Sequence, residues 1–258
     1  MHKIDQWNTS HFQKSPIIGQ LCNVTYYFTE FPEWPTLEDY QSIFKLCNIE
    51  ITPVEQSLQI NSFEEQYEPR VFLKRELQTR LNNWHDFFNA LIWLSFPHTK
   101  KALNALHYRE SRNRQKGTNR STLENRITQF DECGALIISS NQHLLDLIQH
   151  HKWKELFINN AEAFKNDIKC LVFGHAIYEK ALSPYIGMTC HCLLVNDEEL
   201  LNDAIQMNYA NIDRYMADKW INEIAENPVK FNPYPVLGTP DYWYPQDNEF
   251  YSNKSYFR

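Results

Sequence analysis

An α+β fold, mostly helical with one small β-sheet, is predicted by two features of this 258-residue sequence. Several segments place apolar residues three and four positions apart, which is the spacing of a helix face that packs on a core. Three shorter runs at 134–139, 168–173 and 188–195 are rich in apolar and β-branched residues, as strands are. No internal repeat or convincing linker separates these segments, so we expect a single domain over residues 1–258.

The first 35 residues are aromatic-rich and irregular. Thr36 is a good helix N-cap, and Glu38 and Asp39 would lie in the first turn, where the helix dipole favours acidic side chains. We therefore predict a helix from residue 37 onward. A short strand is predicted at 58–60.

The stretch from Thr79 to His107 combines the densest apolar and aromatic residues with three histidines, an aspartate and several asparagines. A cap at Asn82 or Asn83 and a break at Pro97 predict one helix, and a second helix follows directly. Helices joined by so short a turn pack as neighbours. Because buried polar groups must be hydrogen-bonded or ligated, this pair of helices predicts either a site or a buried network.

The C-terminal half alternates strands and helices. Asn141 is predicted to start a helix, and Gly174 is predicted to form a tight turn that opens another helix with His175 in its first turn. A long amphipathic helix is predicted over 197–225. The remaining tail is rich in proline and aromatic residues, and we expect it to wrap over the body of the protein.

Composition excludes several classes of protein. A net charge of −7 and a pI near 5.8 disfavour a protein that coats nucleic acid or anionic lipid, although a local nucleic-acid site is not excluded. No apolar run approaches the roughly 20 residues of a membrane span, and the N-terminus lacks a signal-peptide pattern. Six cysteines without a CxxC pair are expected to be free thiols in the cytoplasm.

Residues 100–126 form a basic segment. Eight Lys or Arg residues face two Glu residues there, a local charge of +6. One interpretation is a solvated surface loop around Gly117 that balances acidic neighbours. The other is an anion-binding segment for a phosphate-bearing ligand or a nucleic-acid backbone. In the second case the substrate-binding candidates are Arg80, Asn89, Lys100, Arg112 and Arg114.

Familiar dinucleotide, P-loop, α/β-hydrolase, HExxH and CxxC signatures are absent from the sequence. The remaining candidates are histidines and carboxylates on four segments, which suit acid–base catalysis or a divalent metal as cofactor. Our catalytic candidates are His85, Asp86, His107 and His175, our metal candidates are Asp131 and Glu132, and Glu179 lies one turn after His175. None of these spacings is diagnostic, and a structural hydrogen-bond network explains the same residues.

Longer motifs resemble a known family. The segment from YEPR to TRLNNWHDFFNALIWLSFPHTKKALNALH, then FDECGAL, FGHAIYEKAL with PYIGMT, and the segment from Pro233 to Trp243 are similar to bacterial proteins grouped as "domain of unknown function 3025". The resemblance covers residues 67–258, and residues 1–66 form the variable N-terminal part. It implies a bacterial cytosolic protein of one domain, in which Thr79, Arg80, Trp84, His85, Asp86, Asn89, His107, Asp131, Glu132, His175 and Glu179 recur. It transfers no role to them.

Two functional hypotheses follow. The first is a hydrolase, metal-dependent or acid–base, that acts on a phosphate-bearing or nucleic-acid substrate. The second is a non-catalytic binding or assembly protein whose buried polar network is structural. The first hypothesis expects His85, His107 and His175 to meet in one hollow.

Overall fold

A computed structural model describes residues 6–57, 59–60, 62–114 and 119–258, and 54% of it is helical. The helices are α1 (His11–Lys14), α2 (Cys22–Thr25), α3 (Leu37–Leu46), α4 (Tyr67–Lys74), α5 (Trp84–Ser95), α6 (Pro97–Asn113), α7 (Thr122–Cys133), α8 (Gln142–Gln149), α9 (Ala161–Asp167), α10 (His175–Lys180), α11 (Glu198–Ile205) and α12 (Ala210–Lys219). The strands are β1 (Thr52–Glu55), β2 (Glu76–Thr79), β3 (Gly134–Ser139), β4 (Ile168–Val172), β5 (Thr189–Asn196) and β6 (Asn232–Pro235). The prediction of a mostly helical α+β fold is confirmed.

The chain forms two compact units, each built from three segments. The helical unit comprises Met1–Gln13, Leu21–Thr128 and Asp213–Val229, and the sheet unit comprises Lys14–Gln20, Gln129–Ile212 and Lys230–Arg258. Our single-domain assignment stays a prediction. Among the described residues, no helix is both long enough and apolar enough to cross a membrane.

In the helical unit, α3 and α5 start at the caps that the sequence predicts. The Thr36 hydroxyl accepts a hydrogen bond from the Asp39 amide, and the Asp39 carboxylate accepts one from the Thr36 amide, which completes a capping box. Asn83 caps α5 by accepting from the Asp86 amide. Pro97 occupies the first turn of α6, where its missing N–H has no partner to lose. Strands β1 and β2 pair in parallel beside these helices.

The apolar face of α5 packs on aromatic rings from the N-terminal segment. Trp84 stacks on Trp7 at 5.1 Å between ring centroids and lies 4.7 Å from Trp34. Phe87 stacks on Phe12 at 5.8 Å. Burial of large aromatic rings contributes more apolar area per residue than any other side chain. Trp7, Phe12 and Trp34 of the N-terminal segment therefore contribute to the core of this unit, and the segment, which was expected to be irregular, contains the short helices α1 and α2.

In the sheet unit, four strands lie in the order β4-β3-β5-β6. Strand β3 is central: it pairs antiparallel with β4 and parallel with β5, and all six of its residues are buried. This burial explains why its sequence, GALIIS, is continuously apolar rather than alternating. Strand β6, from the C-terminal tail, completes the sheet on β5.

The structure differs from the sequence-based expectations in three places. Leu58 of the strand expected at 58–60 lies outside the described residues, as does Gly117, and residues 59–60 are not in a strand. The helix expected over 197–225 is two helices, because the chain breaks at Met207 with φ of 55°. Helix α7 was not predicted, and Asp131 and Glu132 lie in its last turn, directly before β3 begins at Gly134.

Candidate functional site

The candidate site in the sheet unit is built around a close approach of two backbones. Strand β4 ends near the C-terminal end of α7, and Gly174 caps α10 there. The amides of Phe173 and Gly174 both donate to the Gly134 carbonyl at 2.9 Å. A side-chain Cβ at Gly174 would lie 2.4 Å from the Cys133 amide nitrogen, far inside contact distance. Only glycine allows this approach.

The approach places His175 beside two carboxylates. The His175 Nε2 atom lies 3.5 Å from a Glu132 oxygen, and Nδ1 lies 3.9 Å from an Asp131 oxygen. The imidazole is buried, with a side-chain exposure of 4%, whereas Glu132 is 41% exposed. Both contacts are longer than good hydrogen bonds, and each becomes an ion pair only when the imidazole is protonated. We call Asp131, Glu132 and His175 the histidine–carboxylate centre.

This centre has the chemistry of a proton-transfer or metal-binding group. An imidazole held between two carboxylates can take a proton and pass it on, because each carboxylate stabilises the imidazolium form. The same nitrogen and oxygen donors are those that Zn²⁺ and Mn²⁺ accept. Glu132 is the member through which solvent or a ligand would reach the centre.

A cysteine next to the centre does not supply a nucleophile. The Lys180 ammonium donates to the Cys133 sulfur at 3.7 Å. Burial nevertheless raises the pKa of the Cys133 thiol, and this effect exceeds the opposing effect of Lys180. Because the thiolate is the reactive form, this shift disfavours Cys133 as a nucleophile.

In the helical unit, two predicted site residues are bound to each other. Arg80 donates from its guanidinium to both Asp86 oxygens at 3.0 and 2.8 Å, and its backbone amide donates at 2.7 Å. The Asp86 carboxylate is only 12% exposed. A bidentate pair of this kind fixes geometry and neutralises both charges. Arg80 and Asp86 thus join the residues before α5 to its first turn.

Asn89 and Lys100 are also bound to each other. Lys100 is 3% exposed and donates to the Asn89 side-chain oxygen at 3.0 Å, and its ammonium lies 5.4 Å from the Trp93 ring centroid. Asn89 in turn donates to the Tyr67 hydroxyl at 2.7 Å. A polar chain thus connects α4, α5 and α6 inside the apolar core.

The basic segment is largely neutralised by internal contacts. Arg114 donates to Glu124 at 3.0 Å, and Glu124 is 1% exposed. Glu124 also accepts from the Ser121 amide, while Ser121 caps the Glu124 amide, so this pair starts α7. Arg112 is exposed near the end of α6. Among the five substrate-binding candidates, Arg112 is the arginine that is exposed and makes no hydrogen bond or ion pair with the described residues.

The remaining histidines are placed as follows. His85 is half-buried on α5, and His107 is half-buried on α6 in the same unit. Among the described residues, the buried Nδ1 atom of His107 has no hydrogen-bond partner. His175 belongs to the sheet unit, and so does Glu179, half-buried on α10. That the three histidines share one hollow stays a prediction.

Asp213 is a further buried acid, which the sequence did not reveal. Its carboxylate accepts from the amides of His98 and Thr99 at 2.9 and 2.8 Å and from the Thr99 hydroxyl at 2.7 Å. It therefore caps the first turn of α6, which has no side-chain cap of its own. The two partners lie 114 residues apart in sequence, and no local pattern signals such a contact.

Comparison with known proteins adds the family but no activity. Neither a curated protein nor a solved structure matches the chain. The family model described as "Protein of unknown function (DUF3025)" matches residues 51–258. This match begins at residue 51, before the first of the resembling motifs at Tyr67, and it extends through the C-terminal tail. Because it covers more than half of the sequence, the chain belongs to the DUF3025 family.

Proposed function

We propose that the protein is a hydrolase in which the histidine–carboxylate centre performs acid–base catalysis. One observation carries the proposal: the buried His175 ring has a carboxylate near each nitrogen, and one of these carboxylates is open to solvent. A histidine oriented by a buried acid is the usual general base for activating water. Asp131, the less exposed acid, would orient the ring, and Glu132 would face the substrate.

A metal-dependent version of the same proposal uses the same atoms. His175 Nε2 and the Glu132 carboxylate, which lie 3.5 Å apart, would supply two ligands to a divalent ion that activates water. Asp131, the other metal candidate, lies beside Nδ1 and would orient the ring instead. Elemental analysis of the purified protein, with thermal shifts in Mn²⁺, Zn²⁺ and Mg²⁺, tests this version. It predicts a raised melting temperature that is lost in His175→Ala. No bound metal and no shift with any ion would remove the metal and leave acid–base catalysis.

The proposed substrate class depends on one exposed arginine. A phosphate-bearing or nucleic-acid substrate was suggested by the basic segment, but Arg80, Lys100 and Arg114 contact residues of their own unit. Arg112 is the candidate that supports an anionic substrate. An Arg112→Ala variant that retains full activity on phosphate esters would end this part of the proposal.

The proposal is tested by activity on three chromogenic substrates: p-nitrophenyl acetate, p-nitrophenyl phosphate and bis-p-nitrophenyl phosphate. We expect His175→Gln to lower the rate on the accepted substrate by about 10²–10⁴, the range for loss of a general base. Glu155→Gln, an exposed acid in the same unit, is the matched control and should keep the full rate. Turnover that survives in His175→Gln would contradict the assignment.

The second candidate function is a non-catalytic binding or assembly protein. It is favoured by the polar chain of Tyr67, Asn89 and Lys100, which is buried and internally bonded as a structural network would be. If this interpretation applies to the whole protein, His175→Gln should lower the melting temperature and alter no reaction.

We further infer that the protein is bacterial, as the family resemblance implies, and cytoplasmic. The six free cysteines support the cytoplasmic location.

A further inference from the structure

A second candidate site lies in the sheet unit, at the start of β4. A cavity of about 430 Å³ opens there, between the first residues of β4, the segment 16–20 and the chain around Pro240. This volume lies within the roughly 300–1,000 Å³ that small-molecule pockets occupy. His175 follows the opposite end of the same five-residue strand, which spans about 16 Å. The residues that line the cavity do not include Asp131, Glu132 or His175, so the cavity is distinct from the histidine–carboxylate centre.

The floor of the cavity is pre-formed by hydrogen bonds that also protect an edge strand. The Gln20 side chain donates to the Cys170 carbonyl and accepts from the Val172 amide, both at 2.9 Å. It thus occupies the free edge of β4 as a neighbouring strand would. Tyr209 donates to the Gln20 carbonyl at 2.9 Å, which fixes a ring in the wall.

The wall is apolar, and its polar groups are few. Phe164, Ile168 and Tyr209 are buried and line it together with Met207 and Pro240. Gln20 has no free group to offer, because its amide also donates to the Tyr242 hydroxyl. That hydroxyl has no acceptor for its own proton within the part of the chain described. Burial raises the pKa of Tyr242, so the phenol is a neutral donor.

The rim carries positive charge. Lys165 is exposed and Lys169 is half-buried, and the acid on this rim is Asp241. Two positive charges and one negative charge leave a local charge of +1, in a protein whose total is −7. Long lysine stems allow the ammonium groups to reach over an apolar wall while staying hydrated.

We propose that this cavity binds a small, ring-bearing apolar molecule with one anionic group, of the aromatic carboxylate or sulfonate class. The ring would pack on the Phe164, Ile168 and Tyr209 side chains. The anionic group would lie beside the lysine side chains of the rim, and the Tyr242 hydroxyl, which lines the same cavity, would offer a further donor. The proposal does not depend on hydrolytic activity at His175.

Two probes with the same ring system test the proposal: 8-anilinonaphthalene-1-sulfonate, and N-phenyl-1-naphthylamine, which lacks the sulfonate. Fluorescence titration of the full chain should show one saturable site for the sulfonate. Lys165→Met and Lys169→Met should each weaken the sulfonate about two- to fivefold, the range for a partly solvated charge pair, and leave the neutral probe unchanged. Asp241→Asn should tighten the sulfonate, and Tyr242→Phe should weaken it.

Lys154→Met, at an exposed lysine of the same unit outside the cavity, is the matched control and should change neither probe. His175→Gln should also bind both probes normally, which separates this site from the proposed catalytic centre. Melting temperatures equal to that of the wild type exclude a loosened core as the source of fluorescence. Three results would overturn the proposal: weak binding of several equivalents of probe, binding that does not saturate, or an equal loss of affinity for both probes in the lysine variants.

Discussion

The polar groups of the helical unit and those of the sheet unit are arranged on opposite principles. In the helical unit, Asn89 and Lys100 are buried and linked by bonds of 3.0 Å or less to each other and to Tyr67. In the sheet unit, His175 is equally buried, but its carboxylate contacts are 3.5 and 3.9 Å long. Short bonds in a sealed core stabilise a fold, whereas an imidazole beside a solvent-exposed carboxylate has a route by which a proton or a ligand can reach it.

The difference teaches that a high density of polar residues in an apolar segment does not by itself locate a site. The segment 79–107 drew attention for that reason, and the structure gives Arg80, Asp86, Asn89 and Lys100 internal partners. The histidine–carboxylate centre depends instead on one glycine and on short motifs far apart in sequence. Mutations that separate stability from activity therefore test the comparison directly.

The largest expected effect is the loss of the buried ammonium. Lys100→Ala removes the donor to Asn89 and leaves a cavity beside Trp93, so we expect a loss of about 3 kcal/mol in the free energy of unfolding. Lys101→Ala is the matched control: its partner Glu50 is exposed, and the change should be below about 1 kcal/mol. Urea denaturation measures both. Equal losses in the two variants would show that the buried network adds no more to the free energy of unfolding than an exposed ion pair does.

The next effect concerns the cap of α6. Asp213→Ala leaves the amides of His98 and Thr99 without their acceptor, and we expect a loss of about 2–3 kcal/mol. Asp218→Ala changes an exposed acid on the same helix and should cost less than about 0.5 kcal/mol. Thermal unfolding compares the two variants. A stable Asp213→Ala protein would mean that water replaces the carboxylate there.

The third effect tests whether a glycine builds the centre. Gly174→Ala would place a methyl group 2.4 Å from the Cys133 nitrogen and 2.5 Å from the Glu132 carbonyl carbon, so the turn must move. We expect a loss of about 2 kcal/mol, typical of overpacking, and a larger loss of any activity that depends on His175. Gly187→Ala is no control, because its φ of 120° is itself strained for alanine. The suitable reference is His175→Gln, which should share the activity loss.

Much of the fold was predictable because its signals are local. Thr36 and Asn83 cap helices within three residues of their partners, and the central strand at 134–139 is a continuous apolar run. The start of α7 was equally local: Ser121 and Glu124 form a capping box that the surrounding basic residues obscured. The break at Met207 carries no glycine or proline, so no local residue type announced it.

The long-range contacts could not be predicted from one sequence. Gln20 bonds to Cys170 across 150 residues, and Asp213 caps a turn 114 residues away. Such contacts depend on how elements pack, whereas residue spacing reports only the face of each element. Within the sheet unit, the sequence selected Asp131, Glu132 and His175 as candidates, and the structure places the two carboxylates 3.9 and 3.5 Å from the imidazole. The role of Gly174, whose close approach to Cys133 brings them together, was not predicted, because the sequence indicated only a turn there.

The smallest expected effect is a pH dependence that distinguishes the two kinds of buried acid. Burial raises the pKa of Asp213, and this outweighs the hydrogen bonds that favour its ionised form. The folded state then binds the proton more tightly than the unfolded state, whose aspartate titrates near about 3.9. Binding of this proton therefore adds to the free energy of unfolding. The contribution has its full value below the pKa of the unfolded state, and it is lost as the pH rises through the higher pKa of Asp213 in the folded state.

Asp213→Asn, which carries no charge at any pH, isolates this contribution. The free energy of unfolding of the wild type minus that of Asp213→Asn should fall between pH 4 and pH 7, in urea titrations at constant ionic strength. The control Asp218→Asn should show no such trend, because its side chain is exposed in both states. A difference that rises with pH would mean that the amides of α6 hold Asp213 as a carboxylate, so that hydrogen bonding overcomes burial at this cap.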